Sequence, residues 1–282
     1  MQPAKRKTEF RVAGCMGMDS DARAALDRVI AMAGQRKICV AGRFMPDDKV
    51  SALLASHGIA EDVEEADFFR FRKVVIPYGG ISPRERRQWE EAGHPLEDLS
   101  AAQVRRAQVA LGLMRMEGAQ GLVIGRHDDA ETQALTGGGP GTKVIEDTTD
   151  TARLAFSPAF GVVCQSTLSP RKVQWLVQQL RFRYRDARVT FIETLCRSMA
   201  LREEALEKLL AVSDRAIIVG KPGEASCEAL VETALRRGKP AVVVSHAAAL
   251  ESEDLTGRIA LTAGAFATDD AVRGVAEALA QS

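Results

Sequence analysis

Short apolar runs ending on glycine or a polar residue recur along the whole chain, with helix-like stretches between them. This alternation constrains the fold more than any other feature. The runs are FRVAG (10–14), KICVAG (37–42), KVVIPYGG (73–80), GLVIG (121–125), GVVCQS (161–166), RVTFIE (188–193), AIIVG (216–220), AVVVS (241–245) and IALTAG (259–264). None alternates strictly between apolar and polar residues, which is the pattern of parallel strands covered on both faces. Between them lie helix-like stretches such as 21–34, 82–93, 100–118, 169–185 and 198–213. Ser82, Ser100 and Ser169 stand where N-caps belong, the first and last with proline at the next position. Strand and helix in regular alternation give an α/β chain.

The spacing predicts three parts, roughly 1–98, 99–192 and 193–282, each with a few strand–helix units. Ligands in such folds sit beyond the carboxyl ends of the strands. The segments leaving the strands are therefore where function is sought: GCMGMD, GRFMPDD, YGGISP, GRHDDAE, CQSTLSP, ETLCRS, GKPGEAS and TAGAF.

Composition narrows the function classes. With 282 residues, 46% of them hydrophobic, the chain can bury a substantial core. Lys+Arg and Asp+Glu are both 38 and aromatics are 5%, which argues against phosphate-dominated or base-stacking nucleic-acid binding. The basic start MQPAKRKTEF has no apolar segment after it, so it is not read as a signal peptide. No apolar run approaches the roughly 20 residues a membrane span needs. The expectation is a cytoplasmic protein with no membrane and no nucleic-acid partner.

Several motifs read as ordinary structure. TGGGPGTK (136–143) lacks the Gly-Lys-Ser/Thr order of a phosphate loop, since Lys143 follows Thr142 and a strand-like VIED comes next. RFRYRDAR (181–188) reads as a solvated helix end. His57, His94, His127 and His246 never fall in metal-ligand spacing, although His127 shares RHDDAE (126–131) with three carboxylates at a strand exit. The five cysteines are odd in number, widely spaced and contain no Cys-x-x-Cys, so neither a disulfide framework nor a zinc knuckle is expected. Cys39 lies inside a strand run and Cys227 in a helix start, and both read as packing. Cys15 and Cys196 stand where a strand gives way to a helix, a place that stabilises a thiolate.

At VVCQSTLSP (162–170) the chain resembles the 4-hydroxy-3-methylbut-2-enyl diphosphate reductase (LytB/IspH) family, which has Thr-Gln-Thr-Thr-Leu-Ser there. GCMGMD (14–19) is similar to the family's Phe-Cys-Ala-Gly-Val-Asp, which lays Cys15 on a cluster cysteine. YGGISP (78–83) is similar to Ala-His-Gly-Val-Ser, and LVIGRHDDAE (122–131) to a strand followed by Gly-His-x-Gly-His-Pro-Glu. ETLCRSMALREEAL (193–206) lays Cys196 on another cluster cysteine, and LTAGAFAT (261–268) is similar to Thr-Ala-Gly-Ala-Ser. The resemblance implies three small α/β lobes in pseudo-threefold arrangement around a central cavity. Each lobe would donate a cysteine to a [4Fe–4S] cluster whose fourth iron binds the substrate hydroxyl, which reduction and protonation expel as water.

The departures sharpen the expectation. Where the family has its remaining cysteine, in Asp-Ala-Thr-Cys-Pro, this chain has Asp98, Leu99, Ser100, Ala101 and Ala102. The family's diphosphate-binding histidines fall on Gly42, Gly79 and Asp129, its Ser-x-Asn pair on Glu224 and Ser226, and a last serine on Phe266. A diphosphate needs cationic or N–H and O–H donors around it, and two added carboxylates would repel it. What remains is Glu131 on the proton-delivering glutamate, Ser166 and Thr167 on the hydroxyls beside the substrate oxygen, and Gln165 next to them. The expectation is thus a diverged paralogue. It would keep an iron–sulfur cluster on Cys15, Cys196 and a third ligand, with candidates in the order Cys164, a carboxylate such as Asp98, and an exogenous ligand. It would reductively remove a hydroxyl, or carry out a related two-electron reduction, on a larger non-diphosphate substrate admitted by Gly42 and Gly79. Asp129 and Glu224 would favour an amine on that substrate. Electrons would come from a donor such as ferredoxin or flavodoxin. The alternatives are a catalytically degenerate small-molecule-binding protein or accessory subunit, and the authentic diphosphate reductase.

Overall fold

The structure is a computed structural model that describes residues 9–34, 37–63, 65–137 and 141–282. The start at 1–8 and Gly138, Gly139 and Pro140 of the glycine-rich loop lie outside the described residues. In chain order the elements begin β1 (Glu9–Val12), α1 (Ser20–Met32), β2 (Ile38–Val40), α2 (Asp48–Ser56), β3 (Lys73–Ile76), α3 (Pro83–Glu91), β4 (Leu96–Asp98) and α4 (Ala102–Met116). They continue with β5 (Gln120–Ile124), α5 (Ala130–Thr136), β6 (Lys143–Ile145), α6 (Thr148–Arg153), β7 (Ala159–Cys164), α7 (Pro170–Arg183) and β8 (Arg188–Phe191). The remainder is α8 (Arg197–Leu210), β9 (Arg215–Val219), α9 (Ala225–Arg236), β10 (Ala241–Val244), β11 (Arg258–Ala263) and α10 (Asp269–Gln281).

Among the described residues every strand pairing is parallel, and the strands form three separate sheets in the orders β2-β3-β4, β6-β5-β7-β8 and β1-β11-β9-β10. These are the three small α/β lobes. The chain divides into two compact units, one holding residues up to 20, 46–49 and 197–282, the other 21–45 and 50–196. Among the described residues no helix is long and apolar enough to cross a membrane.

In the first unit β9 shows why continuous apolar runs were required. Ile217 and Val219 face a cluster shared with Val275 and Leu279 of α10. Ala216 and Ile218 face Leu206 and Leu210 of α8 and Leu230 of α9. Helices thus cover both faces, and each fully buried Ile or Val contributes roughly 1.5–3 kcal/mol. A contiguous first part at 1–98 does not hold for β1, because Phe10 pairs with Ile259 and Val12 with Leu261 of β11. Phe10 packs on the α10-side cluster, so Cys15 belongs with the unit that holds 197–282.

In the second unit, Val123 of β5 and Val163 of β7 pack under α4 through Val104, Ala107 and Leu111. Cys39 is fully buried in β2 against Val74, Ile76 and Trp89, as its strand setting implied. Ser82 caps α3 as expected: its hydroxyl accepts from the Glu85 amide, and the Glu85 side chain accepts from the Ser82 amide. Ser100 does not cap α4. Its hydroxyl turns back onto Asp98 Oδ1 at 2.5 Å, which moves the cap position to Ala101, where no side chain can accept. Ser169 occupies its cap position without making the side-chain bond.

Candidate functional site

The carboxyl ends of β5 and β7 lie side by side, since Ile124 pairs with Cys164. The segments leaving them bring Asp129, Glu131, Gln165, Ser166 and Thr167 together in the second unit. Asp129 is the N-cap of α5, accepting from the amides of Glu131 (2.9 Å) and Thr132 (3.2 Å). The first turn of α5 then turns Glu131 inward. Its Oε1 accepts the Ser166 backbone N–H at 2.8 Å, and its Oε2 pairs with the Ser166 hydroxyl at 2.7 Å. Burial, with the nearby Asp129 carboxylate adding to it, pushes the Glu131 carboxyl up to about 8 against the pull of the two Ser166 bonds. At neutral pH this is a buried carboxylic acid that still carries its proton.

Gln165 is fully buried and braces the turn. Its Oε1 accepts from the Arg126 amide (3.1 Å) and the Thr132 hydroxyl (3.3 Å), and its Nε2 donates to Thr167 Oγ1 at 3.1 Å. The Ser166 carbonyl accepts the Cys196 amide at 2.8 Å, so Cys196 leaves this same turn. The remainder of RHDDAE is tied down locally: Arg126 pairs with Asp128, and His127 Nε2 lies 3.0 Å from Asp150.

The two glycines at histidine positions differ. A Cβ at Gly79 would lie 3.6 Å from the Glu131 amide, in ordinary contact with the start of α5. Gly42 has a φ of +92° and open space where a Cβ would stand. It borders a cleft of about 600 Å³ whose far wall is Ala130, Gln133 and Ala134 of α5. Glu131 turns away from that cleft towards Ser166.

In the first unit Glu224 caps α9. Its Oε1 accepts from the Ser226 amide (2.9 Å), and its Oε2 accepts the Cys227 amide (3.3 Å) and the Ser226 hydroxyl. Burial raises its carboxyl, with those bonds opposing. Ser226 Oγ also accepts the Ala265 amide at 2.7 Å, binding the loop that carries half-buried Phe266. Asp129 and Glu224 thus each stand as the N-cap of a helix and accept from its first amides. Cys227 is fully buried beside Gly220 and Gly264, as a packing residue.

Two residues escaped the sequence reading. Thr194, fully enclosed, donates to the Cys164 carbonyl and accepts its amide. Arg202, 1% exposed, lies on the buried stripe of α8. An arginine at an apolar position of a helical repeat was the signal available for it.

A buried acid beside hydroxyls at the carboxyl end of a parallel sheet marks an α/β protein whose candidate site lies at that sheet edge. The family model described as LytB protein matches residues 11–280, and the chain belongs to that family. A relative from Methylibium petroleiphilum, a 4-hydroxy-3-methylbut-2-enyl diphosphate reductase, is 29% identical over 211 residues. That match covers 73% of this chain and 64%, just under two thirds, of the relative. The reductase of the same name from Azoarcus sp. (strain BH72) is 29% identical over 261 residues, covering 90% of this chain and 82% of the relative. The solved E-1-hydroxy-2-methyl-but-2-enyl-4-diphosphate reductase of Plasmodium falciparum superposes with a TM-score of 0.87 at 20% identity, covering 96% of this chain and 88% of that one. A solved (E)-4-hydroxy-3-methyl-but-2-enyl diphosphate reductase gives 0.67 at 19% identity, over 98% of this chain and 100% of the other.

The iron–sulfur group that the family implies can be tested against the donors present. Cys15 and Cys196 are half-buried thiols in strand-exit loops, neither of them in a disulfide. The remaining cysteine position is Ala101, whose buried methyl packs with Val104 and Ala107 and whose amide donates to the Tyr78 carbonyl at 2.9 Å. Cys164 does not replace it. Burial pushes that thiol up to about 11, and its Sγ lies 3.5 Å from Thr194 Oγ1. Asp98 is engaged locally, accepting from the Ser100 amide and hydroxyl and pairing with Arg86. Among the described residues no three His, Cys, Asp or Glu side chains cluster as a metal site. The donor set does not fit a cluster held by three cysteines.

Proposed function

We propose that this chain is a diverged LytB-family protein that delivers a proton from Glu131 to an oxygen of a small, hydroxyl-bearing molecule lacking a diphosphate. The observation that carries the reading is the buried Glu131 acid, fixed by the amide and hydroxyl of Ser166. A carboxyl near 8 keeps its proton at neutral pH and sits close to the optimum for general acid catalysis there. Ser166 orients the acid, and Thr167 and Gln165 hold the turn beside it. Gly42, Gly79 and Asp129 supply none of the cationic side chains that a diphosphate demands. The authentic diphosphate reductase is accordingly the least supported reading. Family membership favours reductive removal of the protonated hydroxyl, with electrons from a donor such as ferredoxin or flavodoxin. Ala101 leaves the cysteine set one short of the three that the family's cluster uses.

Ala101 favours a second reading, a catalytically degenerate relative that binds a small molecule or serves as an accessory subunit. Anaerobic iron–sulfide reconstitution separates the two. Iron that is retained near one cluster per chain, and lost in Cys15→Ser and Cys196→Ser, supports the reductase with an exogenous ligand completing the site. A colourless, iron-free protein that still binds its ligand in a Glu131-dependent manner supports the binding protein.

A further inference from the structure

The loop between β1 and α1, residues 13–19, carries Cys15, packs Met16 against the α10-side cluster and is hydrogen-bonded near both of its ends. At one end the Ala13 amide donates to the Leu261 carbonyl at 2.9 Å, continuing the strand pairing. At the other, the Met18 amide donates to the Ala267 carbonyl at 3.0 Å. The strongest ties at that end come from α8. Arg202 Nη2 donates to Asp19 Oδ1 at 2.6 Å and to the Gly17 carbonyl, and the Ser198 hydroxyl donates to Asp19 Oδ2 at 2.5 Å. Arg202 is 1% exposed, and its Nε and Nη1 have no hydrogen-bond partner among the described residues. The guanidinium is therefore anchored through Nη2 alone, and that one nitrogen spans two loop residues, two and four positions after the thiol. A buried cation cannot leave its partner without desolvation going uncompensated, which makes such a tie a rigid one.

We propose that Arg202 is a positioning residue for Cys15: with Asp19 and Ser198 it clamps the loop to α8 and sets how the thiol is presented. The clamp concerns the same Cys15 on which the reductase reading depends, but its test needs no iron, so the two fail separately. The test is the rate of iodoacetamide alkylation at each cysteine of the full chain, followed by mass spectrometry. Cys39, Cys164 and Cys227 are fully buried and serve as internal reporters of unfolding. In Arg202→Met, Cys15 is expected to alkylate about tenfold faster while those three stay protected, the signature of local opening. Arg202→Lys, which keeps the charge opposite Asp19, is expected to recover part of the protection. An unchanged Cys15 rate with the core thiols protected overturns the proposal. If Arg202→Met exposes all five thiols, Asp19→Asn decides. It removes only the loop's charge, and a Cys15 rate that does not rise in it equally overturns the clamp.

Discussion

Glu131 and Ser166 are joined twice, through the Ser166 amide at 2.8 Å and its hydroxyl at 2.7 Å. Two bonds from one residue to both oxygens of a carboxyl fix the plane of the acid as well as its place. They also oppose the burial that keeps the acid protonated, so the proton is held in balance rather than locked on.

That balance has a sign in stability. The folded carboxyl lies at about 8 against an ordinary value of 4.5, so between those limits the folded chain holds a proton that the unfolded chain has lost. Stability from this group is therefore present at low pH and falls as pH rises from 4.5 through 8. Glu131→Gln should remove the decline, on the order of 4–5 kcal/mol across the window. Urea denaturation of both proteins at intervals from pH 5 to 8.5 measures it, and parallel pH profiles would contradict it.

Ser166→Ala deletes the hydroxyl and leaves the amide. The lost donor stabilised the carboxylate, so the Glu131 titration should move above 8. The fold should lose about 1–2 kcal/mol for a buried partner left short of a bond. Infrared titration of the protonated carboxyl band, with Glu131→Gln as the blank, reads the shift. A downward move would refute the stated role of the hydroxyl.

Asp129→Ala should cost about 1 kcal/mol, the worth of a helix cap. It should also lower the Glu131 titration, because the neighbouring charge is gone. A ligand-binding aspartate would leave stability unchanged in the free protein, so thermal unfolding without ligand separates the two roles.

Ala101→Ser restores an acceptor at the uncapped start of α4, whose φ and ψ of −58° and 145° already suit a cap. A gain of about 0.5–1 kcal/mol is expected. A loss would mean that the pocket around the Ala101 methyl, between Val104 and Ala107, has no room for the hydroxyl.

The strands were legible because burial on both faces leaves a direct mark on composition: AIIVG sends Ile217 to one helix layer and Ile218 to the other. β4, only three residues long, offers no such run in PLEDLS. The pairing of Phe10 with Ile259 leaves no local trace either, since parallel partners far apart in sequence carry no turn signal. Around the site, Glu131, Ser166 and Thr167 were found through resemblance, not periodicity, because a buried acid in a short helix has no pattern of its own. Asp129 and Glu224 were seen as charges but not as caps: charge counting does not show that each stands directly before a helix and accepts from its amides.

The adjacency of β1 and β11 has a consequence for biosynthesis. β1 can find its partner only when residues 258–263 have been made. Until then its hydrogen-bonding edge lacks β11 while the residues between the two strands are synthesised, a window open to trapping by chaperones or by other nascent chains. The loop that carries Cys15 thus takes shape only after β11 exists.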